Sequence, residues 1–223
     1  QRQMCIRDRR WRVAAPASSL AFTGDRLLVR NNDASGQVLS AATGATLLSY
    51  PGISRHLARG EGRRRLIHFN LHKISRIDPD SGEREVLERP CDADVLTLTT
   101  DAQERLFVAC KDSVVWQAPG GEPAAVGGIT LLEQTAPRSQ VVQLRVSPDG
   151  TRLALGSLKG QVELVDLTTH RSLGTAQVSD GQIRRLAFSD DGQTLAVLAE
   201  DRRVSLWHPA TGAVSRLPAE DAR

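Results

Sequence analysis

Apolar residues in this chain fall in short runs of four to six, broken by turn formers, and no helical stripe carries them. The run order is clearest near the end: IRRLAF (183–188), TLAVLA (194–199), VSLWH (204–208) and AVSRL (213–217). Runs this short, rich in β-branched and small apolar residues, predict strands. TLAVLA is apolar almost throughout, as expected of a strand covered on both faces. AVSRL is more polar, which suits an edge. Between the runs stand SPDG (147–150) and SDDG (189–192), then TTH (168–170) and PATG (209–212). Ser and Asp side chains bond nearby amides, and Gly accepts positive φ, so these are hairpin turns. Each set of four runs therefore predicts a four-stranded antiparallel meander.

The meander recurs. VSPDGTRLALGSLKGQVELVDLTTH from Val146 and FSDDGQTLAVLAEDRRVSLWHPATG from Phe188 are its clearest copies. Gly150 and Gly192 are 42 residues apart, as are Val165 and Trp207. An apolar anchor followed five places later by Gly appears at Leu39, Ile77, Trp116 and Trp207, while Val165 is followed by His170. The five anchors are spaced by 38, 39, 49 and 42 residues. Such a period, built from strands, predicts an all-β fold: a β-propeller segment of about five four-stranded antiparallel blades, near 16–50, 53–89, 93–127, 141–177 and 182–218. Seven blades of this length need roughly 280 residues, so the expectation is an incomplete seven-bladed propeller. Gly150 and Gly192 are assigned to turns, and Trp116 and Trp207 to structural packing. The second strands of the first three units read RLLVR (26–30), RLIHF (65–69) and RLFVAC (105–110); the third strands read GQVLS, HKISRI and SVVW. The Gly- and Pro-rich stretch from Pro119 to Gln140 reads as an outer strand with an extended loop.

Over about residues 16–217 the chain resembles the WD-repeat family. VSLWHPATG (204–212) stands where the family has its Trp-Asp ending; LVDLTT keeps Asp166 after Val165, and IDPDSG keeps Asp78 after Ile77. The family's Gly-His pair is absent, with Val178 and Ser179 in its place. The hairpin Asp is present at Asp201 and at Asp33, and Lys159 replaces it in the fourth unit. The family's His-to-Asp network is therefore complete in no blade. The resemblance implies a non-catalytic protein-interaction scaffold within a larger regulatory or signalling protein. Its protein or peptide contacts would lie on the face of the outer-to-inner connections and second-to-third-strand hairpins, here Gln140, Lys159, Asp180, Gln182 and Asp201. The alternative is a lactonase-like or quinoprotein-like propeller that is an enzyme or ligand binder, with its key residues in further blades.

Chemistry enters mainly by its absence. There is no nucleophile motif, phosphate loop or metal-ligand spacing, so no catalytic residue, metal or cofactor is expected. His68 and His72 have helical i,i+4 spacing but sit in a hairpin pattern. His208 reads as a blade-edge residue. Asp149, Asp190 and Asp191 are turn residues first. The innermost strands SSLAF, VLTLTT, VVQLRV and IRRLAF carry no acidic or His ring, and the polar residues are expected in turns and hairpin tips rather than on the axis.

Composition adds limits. At 223 residues, 40% hydrophobic and 4% aromatic, the core is aliphatic. Net charge is +3, and Arg63, Arg64 and Arg65 cluster near Arg59 without interleaved aromatics, so no nucleic-acid partner is expected. No apolar run is long enough for a membrane helix. Cys91 and Cys110, without close spacing, read as structural thiols in a cytoplasmic protein. Residues 4–9, MCIRDR, are the in-frame translation of ATG TGT ATA AGA GAC AGR, a transposon end used in sequencing libraries. Residues 1–9 are therefore expected to be foreign and disordered, with a fused domain upstream in the full-length protein.

Overall fold

The computed structural model describes residues 17–23, 25–32, 35–50, 56–59, 66–69, 74–78, 83–87, 94–103, 105–111, 115–118, 129–130 and 139–217. The expectation for residues 1–9, the arginine cluster at 63–65 and the His72 position lie outside these residues. Among the described residues every regular element is a strand. The first blade comprises β1 (Ala17–Thr23), β2 (Arg26–Asn31), β3 (Gly36–Ser40) and β4 (Thr46–Tyr50). The second comprises β5 (His56–Arg59), β6 (Leu66–Phe69), β7 (Ile74–Ile77) and β8 (Arg84–Leu87). The third comprises β9 (Val95–Thr100), β10 (Leu106–Cys110), β11 (Val115–Ala118) and β12 (Ile129–Thr130). The fourth comprises β13 (Val141–Val146), β14 (Arg152–Ser157), β15 (Gln161–Asp166) and β16 (Ser172–Gln177). The fifth comprises β17 (Ile183–Phe188), β18 (Leu195–Ala199), β19 (Val204–His208) and β20 (Ala213–Arg216).

Each blade is one antiparallel sheet whose spatial order is its sequence order. Between blades, the first strands approach one another: β5 meets β9, β9 meets β13, and β13 meets β17. The first strands are thus innermost and the fourth outermost, the radial arrangement of a propeller. Packing follows from strand alternation. In β10, Leu106, Val108 and Cys110 face the second blade and join Ile74 and Leu87, while Phe107 and Ala109 face the fourth and join Val141, Leu153 and Val165. All five residues of β10 are consequently buried. The core is a series of apolar layers between blades, and Trp207, 1% exposed, anchors the layer between the fourth and fifth.

Three sequence expectations change. TLAVLA is not covered on both faces: Leu195, Val197 and Ala199 bury toward the fourth blade, while Ala196 and Leu198 are only half-buried. Third-strand pairing in the third blade runs over Val115–Ala118 rather than SVVW, because Phe107 pairs with Gln117 and Leu106 with Ala118. Trp116 lies in that strand opposite Val108 and Thr130. Finally, Cys110 is disulfide-bonded, not a free thiol, and its partner lies outside the described residues. Wide spacing in sequence hid the pairing, since sheet neighbours need not be sequence neighbours. Among the described residues no helix is long and apolar enough to cross a membrane.

Candidate functional site

Antiparallel pairing sorts the connections onto two ends. One end holds the outer-to-inner connections and the second-to-third hairpins; the other holds the remaining turns. Gln140, Lys159, Asp180, Gln182 and Asp201 all fall on the first end. Lys159, Asp180 and Asp201 are exposed at loop tips, whereas Gln140 and Gln182 are half-buried. Gln140 and Gln182 hold the same place in successive blades. The Gln140 carbonyl accepts the Leu158 amide at 2.9 Å, and the Gln182 carbonyl accepts the Glu200 amide at 2.9 Å. Gln140 Nε2 also donates to the Lys111 carbonyl at 3.2 Å, joining the third and fourth blades.

The hairpin at Lys159 is locked from below. The Lys159 carbonyl accepts Gln177 Nε2 at 2.7 Å, and the Gly160 carbonyl accepts the amides of Val178 and Ser179 at 3.0 and 3.3 Å. Gly160 has φ +77, and a Cβ there would lie 1.9 Å from the Ser179 carbonyl oxygen. Only glycine fits this close approach of hairpin and connection. Asp201 caps its own hairpin by accepting the Arg203 amide at 3.0 Å. Beside it, Arg184 pairs with Glu200 at 2.6 Å, with both side chains about half exposed. The result is a set of exposed charged tips on a backbone-bonded base, with one Asp201 oxygen committed to its own hairpin.

At the opposite end the repeated turns are near copies. Gly150 (φ 71) donates to the Ser147 carbonyl and Gly192 (φ 66) to that of Ser189. The Ser147 and Ser189 hydroxyls donate to Asp149 and Asp191. The Ser147 hydroxyl, then the Thr151 hydroxyl and amide, hold the Asp149 carboxyl down at about 2, against a smaller opposing effect of burial. Asp191 is likewise lowered, first by the Ser189 hydroxyl and then by the Gln193 amide. These carboxylates are committed to turn hydrogen bonds. His208 Nδ1 lies 3.1 Å from the Thr194 hydroxyl, inside its own blade.

The expectation that polar residues avoid the axis is not met. The innermost strands β9, β13 and β17 line a cavity of about 570 Å³ that includes Thr97, Thr99, Gln143, Arg145 and Arg185. It reaches the turn end, where Asp101, Ser147 and Asp190 border it. The signal is present but dispersed: Thr97 and Thr99 alternate in VLTLTT and Gln143 and Arg145 in VVQLRV, each pair on one side of its strand, while IRRLAF contributes only Arg185 as a polar residue. The short polar residues and occasional Arg of these strands form no acidic or His ring, yet they line the cavity together. Arg105, just before β10, contacts Asp101 Oδ2 and donates to the Gly150 carbonyl of the next blade. Arg26, Arg65, Arg105 and Arg152 occupy this place before a Leu in four units, and Thr194 in the fifth. Among the described residues no cluster of three or more His, Cys, Asp or Glu is placed to hold a metal ion.

No protein-family model matches the chain. It is 30% identical over 127 residues to the WD repeat-containing protein SL1-17 of Schistosoma mansoni; the match covers 52% of this chain and 40% of that protein. The chain therefore matches under half the length of that relative. In fold it is similar to the crystal structure of the β-propeller domain of Cps50 (Swd1) from Myceliophteria thermophila, with a TM-score of 0.70 and 16% identity, over 96% of this chain and 70% of that one. The radial blades, the Trp207 layer and these two likenesses agree on the fold: the chain is a β-propeller, similar over about half of its length to a WD repeat-containing protein.

Proposed function

We propose that this chain is a non-catalytic scaffold that binds a protein or peptide partner through the end carrying Gln140, Lys159, Asp180, Gln182 and Asp201. One observation carries the reading: Lys159, Asp180 and Asp201 project from loops whose backbones are hydrogen-bonded to the neighbouring connection on the same end. Rigid loops lose little entropy on binding, and loop side chains can vary without disturbing strand pairing. The likeness to WD-repeat proteins supports a scaffold in general, and the tip residues supply the finer assignment. The test is capture of a partner by the full-length protein carrying Lys159→Glu, Asp180→Lys and Asp201→Lys together. Loss of at least about tenfold in affinity is expected with the fold retained and the melting temperature lowered only by the lost Asp201 cap, because the Lys159 and Asp180 reversals are exposed and usually change stability by under about 0.5 kcal/mol each. Unchanged capture would place the partner elsewhere.

A further inference from the structure

We propose that the axial cavity is a second site, separate from the loop tips, that takes an acidic side chain of a peptide from the turn end. Arg145 on β13 and Arg185 on β17 are exposed into it, and neither forms an ion pair among the described residues. Their neighbours show the contrast: Arg184 is paired with Glu200 and Arg105 with Asp101. The Asp101 side chain is 2% exposed and held by Arg105, so its charge is already countered. Among the described lining residues Asp190 is the other carboxylate, so two guanidinium groups face it there.

Placement makes those charges useful. Two cations in a concavity with low-dielectric walls concentrate their field there. Guanidinium groups grip carboxylates through paired N–H donors, and Thr97 and Thr99 belong to the same lining. Leu98, Leu144 and Phe188 add apolar surface for the methylene part of a Glu side chain. A volume near 570 Å³ lies in the range of ligand clefts and admits one or two side chains with their backbone. Residues at adjacent turns are committed to local bonds, so the lining is set before a ligand arrives.

The test uses a fluorescein-labelled octapeptide with two central glutamates, its glutamine counterpart and its phosphoserine counterpart, read by polarisation at low salt. The glutamate peptide should bind, and the glutamine peptide at least about tenfold more weakly. Arg145→Gln and Arg185→Gln should each weaken the glutamate peptide by about tenfold, while Arg216→Gln on exposed β20 should leave it unchanged. Circular dichroism melts confirm that the exposed substitutions leave the fold intact. No binding at millimolar peptide, equal affinity for the glutamate and glutamine peptides, or indifference to both variants would overturn the proposal. Tighter binding of the phosphoserine peptide by more than about tenfold would overturn the choice of an unmodified acid. Weakening by Lys159→Glu would move the peptide to the loop tips and overturn the axial site, whereas failure here leaves the loop-tip reading standing.

Discussion

His170 shows what a single position demands. It stands where the first and fifth blades have Gly44 (φ 71) and Gly212 (φ 72), and it adopts φ 56 itself. A β-carbon costs roughly 1 kcal/mol in that region, so His170→Gly should raise stability by about 0.5–1 kcal/mol in urea unfolding. A loss of stability would mean that the imidazole makes a compensating contact. Trp207 is 1% exposed between two blades, and Trp207→Ala should cost about 3–5 kcal/mol; a loss under about 1 would contradict its burial. Glu163 gives the pH dependence. Burial pushes its carboxyl above the ordinary glutamate value, with the Ser172 hydroxyl opposing, and one carboxyl oxygen has no hydrogen-bond partner among the described residues. The sign follows: a raised folded pKa adds stability below the unfolded value near 4.5 and loses it as pH climbs through the folded value. Glu163→Gln should therefore melt higher than the parent at pH 7.5, with the difference shrinking toward pH 4. A difference that grows as pH falls would reverse the account. Turn residues such as Asp149 and Gly150 were legible because their bonding is local. Glu163 was not, since its burial depends on packing that the local sequence does not display.

At the scale of the element, identical strands meet different surroundings. Ala154, Val162 and Leu164 of the fourth blade bury against Ile183 and Leu186 of the fifth. Ala196, Val204 and Leu206 hold the corresponding places in the fifth blade, 42 residues on, and are half-buried. The apolar sequence of the strand records a surface fit for covering, and burial records what covers it. Leu164→Lys should thus cost several kcal/mol by leaving a charge in an interblade layer, about 3 or more. Leu206→Lys, at the equivalent place, should cost under about 1 kcal/mol in this 223-residue chain. Equal costs would show that both faces are covered. Strand existence and order were readable from turn chemistry and period, because each hairpin is closed within a few residues. The boundary of β11 was less so, since its register is set by Phe107 and Leu106 across the sheet.

Across the whole molecule, the repeat builds a disc of blades with two chemically different ends. The charged tips at Lys159, Asp180 and Asp201 stand on bonded loops, and the opposite end opens on Arg145 and Arg185 through committed turns. The loop face was legible because a 42-residue offset carries Gln140 onto Gln182 and Lys159 onto Asp201. The axial lining was not, because it is assembled from single residues of separate blades and no one segment displays it. Hydrogen exchange of the full-length protein with and without its captured partner tests the central claim most directly. Binding through the loop tips predicts slowed exchange at 158–160, 178–182 and 200–203, with the turns at 147–151 and 189–193 unchanged. Protection confined to those turns, or absent from all the loop tips, would contradict it.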